Sequence, residues 1–189
     1  NFTNLLPEDA KGGFTYQDAN GLFVKSFTQQ KGPGLPRGSP VKDVNFEEKN
    51  TQIVDNSIFS QLKTSSYILS NDGQFIAYIT DKIFEFRHSY SATYHIYKID
   101  QNDNSQQKID QIEDAQELSF TFIENNVVYI KDNNLYIRKS ADNFSINSEI
   151  AITNNGSKQK IYNGVADWVY EEEMLAEKKA YYISDRVSA

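Results

Sequence analysis

Tyr67-Ile68-Leu69-Ser70-Asn71-Asp72-Gly73-Gln74-Phe75-Ile76-Ala77-Tyr78-Ile79 reads as two short apolar runs about a three-residue break. Asp-Gly at the break is a strong turn signal, because glycine accepts positive φ without a Cβ penalty. The stretch predicts a β-hairpin, and the same pattern recurs on both sides of it. Phe14–Tyr16 and Gly21–Lys25 flank Gln17-Asp18-Ala19-Asn20. Leu118–Phe122 and Val127–Ile130 flank Glu124-Asn125-Asn126, and Asp132-Asn133-Asn134 turns into Leu135–Arg138. Tyr90–Ile99 alternates rings with small polar residues, and Ala180–Ile183 reads as the start of a further strand. The hairpins begin at residues 14, 67, 118 and 180, intervals of 53, 51 and 62 residues. That spacing suits a four-stranded propeller blade, whose repeats run about 40 to 50 residues. The fold class expected is all-β: a partial β-propeller of four-stranded antiparallel blades, about three to four of a larger ring. A β-sandwich with irregular loops is the alternative, and the repeat interval favours the propeller.

Two segments break the rhythm. Residues 29–40, with Gly32, Pro33, Gly34, Pro36, Gly38 and Pro40, predict a Gly/Pro-rich loop. Asp167–Lys179 predicts a short acidic helix. Glu171, Glu172, Glu173 and Glu177 precede Lys178 and Lys179, an order that suits the helix dipole.

Composition narrows the function. The chain has 189 residues, enough for one ordinary domain. With 26 acidic against 19 basic residues its net charge is −7, which excludes a nucleic-acid binder working through a basic face. Mean hydropathy is −0.62 and no run approaches the roughly 18 apolar residues of a membrane span. Aromatics make up 13%, too many for a disordered chain. Cysteine is absent, which removes disulfides, thiolate metal sites and thiol nucleophiles. Three N-glycosylation sequons begin at Asn1, Asn143 and Asn155 and lean toward a secreted context. The chain starts at Asn with neither Met nor signal peptide, as a mature form or a fragment would.

Few residues carry chemistry. A Gly-x-Ser-x-Gly elbow, a phosphate loop and a dinucleotide fingerprint are all missing. His88 and His95, the only histidines, are seven apart, which on one strand puts them on opposite faces. No metal site and no cofactor are expected. The run Glu171-Glu172-Glu173 stands apart from ordinary surface charge. It lies close to Trp168, the only tryptophan, and adjacent carboxylates repel unless a cation joins them. A ligand ammonium would supply that cation, with three donors to share between carboxylates. The plainer reading is a solvated helix face. Arg87, in Phe86-Arg87-His88-Ser89-Tyr90, stands among rings and hydroxyls as a candidate cation partner for the glutamates.

At Asp167-Trp168-Val169-Tyr170-Glu171-Glu172-Glu173 the chain resembles the D-W-V-Y-E-E-E signature of the dipeptidyl peptidase IV family. Phe86–Tyr97 resembles that family's R-H-S-Y-T-A-T-Y-x-I-Y stretch, Ser70–Phe75 its S-P-D-G-Q-F turn, Asn133–Ile137 its N-N-I-Y strand, and Lys160–Gly164 the lead-in to the acidic signature. The resemblance runs from about Ile53 to Ile183. Residues 29–40 and their flanks, and Ser184–Val187, depart from it.

The resemblance implies a segment of the eight-bladed propeller that caps an α/β-hydrolase domain in a serine exopeptidase. Such enzymes remove N-terminal dipeptides, mostly after Pro or Ala. By that resemblance Glu172 and Glu173 bind the α-amino group of a peptide substrate with a free N-terminus. Arg87 then binds the carbonyl oxygen of the second substrate residue from the cut and pairs with a glutamate. The two carboxylates fix the distance from the amine to the scissile bond, so only dipeptides are released. The same resemblance implies a homodimer in the full-length protein and an extracellular or cell-surface location. Any membrane attachment would be through an N-terminal anchor that this chain lacks. The hydrolase domain with its Ser, Asp and His is also missing from residues 1–189, so the chain by itself is expected to hydrolyse nothing. A non-catalytic homologue, acting as an interaction or channel-auxiliary protein, is the first alternative; Arg87 favours the active lineage. An unrelated β domain with a decorative acidic helix is the second.

Overall fold

The computed structural model describes residues 14–29, 46–122 and 124–183. They form three antiparallel sheets in chain order. The first holds β1 (Phe14–Asp18), β2 (Gly21–Gln29) and β3 (Phe46–Asp55). A short helix, α1 (Ser57–Leu62), leads to the second sheet. This is a four-stranded meander of β4 (Tyr67–Leu69), β5 (Phe75–Phe84), β6 (Tyr90–Ile99) and β7 (Gln106–Ala115). The third is a second four-stranded meander of β8 (Glu117–Phe120), β9 (Val127–Lys131), β10 (Asn134–Arg138) and β11 (Ile150–Ala151). Each sheet opens at one of the predicted hairpins, and the two complete ones have the four strands of a propeller blade. No ring closes among the described residues, as befits part of a propeller.

Turn chemistry sets the Tyr67–Ile79 hairpin. Asp72 Oδ1 accepts from the Ser70 hydroxyl at 2.9 Å and from the Gln74 N–H at 2.9 Å. Ser70 Oγ in turn accepts from the Phe75 N–H at 2.9 Å. Gly73 adopts φ +73°. The register then pairs Ile68 with Ala77 and Leu69 with Ile76.

Strand β5 explains why its sequence is apolar without a break. Phe75, Ala77 and Ile79 pack toward the third sheet, in a cluster with Tyr94, Ile96, Leu118, Val127, Tyr129 and Phe144. Ile76 and Tyr78 face the first sheet and meet Leu22, Val54 and Phe59. Side chains alternate across a strand, so a strand packed on both faces must be apolar at every position. Burying an aliphatic side chain such as Ile76, which is fully enclosed, contributes about 1.5–3 kcal/mol.

The two-residue β11 has no counterpart in the sequence reading, and neither do two long strands, β3 and β7. These two long strands are edge strands with polar sequences, FEEKNTQIVD and QQKIDQIEDA. Edges protected by charge lack the apolar alternation that reveals a strand. The strand expected at Ala180–Ile183 does not form a ladder. Lys179 makes a single bridge to Val165, and the Ala180 N–H bonds to the Gly164 carbonyl at 2.8 Å. The helix expected over Asp167–Lys179 is shorter and wider, a π-helical turn at Tyr170–Leu175. Residues 30–40 of the predicted loop lie outside the described residues; Gln29 ends β2.

Candidate functional site

Two excursions meet at one end of the second and third sheets. The first is the β5–β6 hairpin, whose tip carries Arg87. Both the Glu85 N–H (2.9 Å) and the Phe86 N–H (3.4 Å) bond to the Ser89 carbonyl and close that tip. The second is the loop of residues 167–177. Its base is tied by the Val165–Lys179 bridge and by the Ala166 N–H to the Lys178 carbonyl at 2.8 Å. Asp167 starts the acidic turn: its Oδ1 accepts from the Tyr170 N–H at 3.0 Å, and its carbonyl accepts from the Glu171 N–H at 2.9 Å. π-Helical turns are rare and gather at functional sites.

The three glutamates have three different surroundings. Glu171 is fully buried. Its Oε1 accepts from the His88 N–H at 2.5 Å and the Ser89 N–H at 3.3 Å, and its Oε2 accepts from the Ser89 hydroxyl. Glu172 is half-buried, with Oε2 3.5 Å from Arg87 Nη1; the Arg87 side chain is 74% exposed and that of Glu172 19%. Glu173 is exposed, and no ion pair engages it among the described residues. Arg87 and Glu172 therefore share one surface, and Glu173 is exposed on the same turn as Glu172.

Beneath this surface Lys178 is buried. Its Nζ lies 3.0 Å from Glu117 Oε2, donates to the Gln116 carbonyl at 2.7 Å, and sits 3.3 Å from the centre of the Tyr90 ring. Burial lowers its pKa, against the pull of Glu117. Burial likewise raises that of the Tyr90 phenol. An open cavity of about 510 Å³ borders Lys178, Glu117, Tyr90 and Lys82, but neither Arg87 nor the glutamate run lines it.

Sequence reading missed the separate part played by Glu171, and also Glu117 and Lys178. For Glu171 the signal was available: successive residues on a helical turn point about 100° apart, so three adjacent carboxylates cannot all face one ligand. For Glu117 and Lys178, 61 positions apart, local sequence carries no such sign.

The histidines do not share a site. His88 is exposed at the hairpin tip, outside the strand assumed for it, while His95 lies buried in β6 with Nε2 2.9 Å from Thr80 Oγ1. No group of three or more potential ligands is arranged for a metal among the described residues. None of the helices described is long and apolar enough to cross a membrane. Asn143 and Asn155 are exposed, Asn143 in left-handed backbone after the Ser140–Asp142 turn; Asn1 lies outside the described residues.

Comparison with known proteins supplies a family. The profile of the dipeptidyl peptidase IV (DPP IV) N-terminal region matches residues 70–188. The mouse protein named prolyl endopeptidase FAP is 33% identical over 95% of this chain and 23% of its own length. Pig dipeptidyl peptidase 4 is 34% identical over 74% of this chain and 18% of its own. Mouse inactive dipeptidyl peptidase 10 is 31% identical over 76% and 18%. The chain thus spans about a fifth of the length of these curated relatives. Its fold matches the crystal structure of Porphyromonas gingivalis dipeptidyl peptidase 4 with a TM-score of 0.59 and 21% identity, over 92% of this chain and 22% of that one. The chain belongs to the dipeptidyl peptidase IV family, within the N-terminal propeller region of its members.

Proposed function

We propose that residues 1–189 are the substrate-recognition segment of a dipeptidyl peptidase IV-like serine exopeptidase. The enzyme removes N-terminal dipeptides after Pro or Ala. In it Glu172 and Glu173 hold the α-amino group of the substrate, and Arg87 holds a backbone carbonyl oxygen. The nucleophile and its partners belong to a hydrolase domain outside these residues. The full-length protein works as a homodimer at the cell surface or outside the cell, glycosylated at exposed sequons such as Asn143 and Asn155.

One observation carries the reading: Arg87 stands 3.5 Å from Glu172 across 85 positions of sequence. Glu173, the next residue on the same turn, adds a second carboxylate beyond the one that Arg87 pairs, and an ammonium would neutralise it. Mouse inactive dipeptidyl peptidase 10, at a similar level of identity, favours a second reading: a non-catalytic homologue in which the same surface serves a protein partner.

Glu172→Gln and Glu173→Gln in the full-length protein test the first reading, because each removes one charge and keeps the shape. Loss of one partner of a desolvated charge pair costs about 2–5 kcal/mol. For dipeptide substrates with a free amine, kcat/KM is expected to fall at least about 30-fold, at about tenfold per 1.4 kcal/mol. Substrates with a blocked amine start poor and change little. Equal losses on both substrate types would indicate a damaged fold, and no loss on either would return the run to a solvated helix face. A full-length protein that hydrolyses neither substrate type would leave the second reading.

A further inference from the structure

Glu171 is the member of the acidic run that amine binding leaves without a task, and it is the buried one. Its partners, the His88 and Ser89 N–H groups and the Ser89 hydroxyl, all lie immediately after Arg87 in sequence. The hairpin tip uses the Ser89 carbonyl to accept from Glu85 and Phe86, and the His88 and Ser89 N–H groups go to the Glu171 carboxylate. A buried acceptor left without donors costs about 1–3 kcal/mol, and more when it is charged, so the buried Glu171 carboxylate depends on these donors. Adjacent residues of one turn therefore grip adjacent residues of the other: Glu171 takes the backbone at residues 88 and 89, and Glu172 takes the Arg87 side chain. The Arg87–Glu172 contact is long and exposed, at 3.5 Å, and an exposed ion pair of that kind contributes about 0–1 kcal/mol. It is too weak to hold the two turns in place, whereas the buried carboxylate is not.

We propose that Glu171 is the positioning residue of the amine-recognition site. It fixes the distance between Arg87 and the Glu172–Glu173 pair, and so the length of peptide that fits between an anchored ammonium and an anchored carbonyl. This rests on the amine-binding reading of Glu172 and Glu173. Glu171 acts as an acceptor of three hydrogen bonds, not as a counter-charge for the ligand.

The test compares Glu171→Ala, Glu171→Gln and Ser89→Ala with Glu172→Gln and Glu173→Gln in the full-length protein, on a free-amine dipeptide substrate. Glu171→Ala is expected to raise KM about tenfold or more with kcat less affected, the scale of a lost buried acceptor. It should also speed amide hydrogen exchange at His88 and Ser89. Glu171→Gln keeps the Oε1 acceptor and should stay within about threefold of wild type, while Glu172→Gln and Glu173→Gln fall about 30-fold. If Glu171→Ala does not fold, Ser89→Ala takes its place. It removes the hydroxyl donor alone and should raise KM about threefold or more, at the low end for one hydrogen bond. A wild-type KM in Glu171→Ala, or in Ser89→Ala if that variant stands in, overturns the positioning role and leaves the amine reading standing. Glu171→Gln as damaging as Glu172→Gln would make Glu171 a ligand by charge and also overturn it. Unchanged Glu172→Gln and Glu173→Gln would defeat the amine reading, and the positioning role with it.

Discussion

Arg87 separates stability from recognition at a single residue. Its side chain is 74% exposed and its pair with Glu172 is 3.5 Å long, so Arg87→Ala is expected to change unfolding free energy by less than about 1 kcal/mol. If it holds a substrate carbonyl, the same substitution lowers kcat/KM about tenfold or more, the worth of a charged hydrogen bond. Thermal unfolding and kinetics on one preparation check both halves. A large drop in melting temperature would mean that Arg87 is structural. His95 gives the residue-scale pH dependence. Burial, and then Lys108, lower its pKa, against Gln111, Asp81 and Glu113, which raise it; Thr80 Oγ1 touches its Nε2. The unfolded chain binds a proton near pH 6.5 while the folded one binds it only at lower pH. Below about 6.5 the unfolded state therefore holds more protons, and stability falls as pH falls. His95→Gln is expected to flatten that part of the profile between pH 7 and pH 5 in thermal unfolding. An unaltered slope would assign it to other groups.

The two turns that open the first two sheets show how an element depends on one glycine. Gly21 (φ +146°) starts β2, and a Cβ there would stand 2.1 Å from the Val54 carbonyl oxygen, against backbone that cannot yield. Gly73 (φ +73°) has open space around it. Gly73→Ala is therefore expected to cost about 1 kcal/mol, the conformational penalty alone. Gly21→Ala must part β2 from β3 and is expected to cost more than about 3 kcal/mol, among the exceptional values for one substitution. Denaturant unfolding of the two variants gives the order, and equal costs would contradict the close approach at Gly21. Element formation was otherwise readable where sequence and burial agree. Hairpin turns rich in Asn, Asp and Gly, and the unbroken apolar run of β5, mark their elements by local chemistry. Strands β3 and β7 were hidden because edge strands with solvated faces look like loops in composition.

For the whole molecule, three sheets pack face to face through two clusters that share β5 and β6. The far side of the third sheet is covered by the segment running to residue 183, where Tyr181 OH meets Ser119 Oγ at 2.5 Å. A propeller gains stability by passing each sheet to the next around a ring. The 189-residue chain expressed alone is expected to associate or partly unfold, because among the described residues no further sheet flanks the outermost ones and their strand edges can pair with other chains. Size-exclusion chromatography with light scattering checks this; a monodisperse, cooperatively melting monomer would contradict it.

The amino-acid sequence by itself determined the blade-like rhythm of hairpins, the acidic run and the family resemblance, since each is written in contiguous residues. Asp72-Gly73 turns the chain whatever surrounds it, and Glu171-Glu172-Glu173 is visible as three neighbours. Only the tertiary structure decided how those glutamates divide. A wide π-helical turn buries Glu171 against His88 and Ser89, leaves Glu172 beside Arg87 and Glu173 in solvent. The physical reason is distance along the chain. The partners of Glu171 lie 82 and 83 positions away, and no local pattern encodes which of three identical side chains a remote hairpin tip will satisfy. The same holds for Lys178, whose partners Gln116 and Glu117 meet it only because the loop base and β8 pack together.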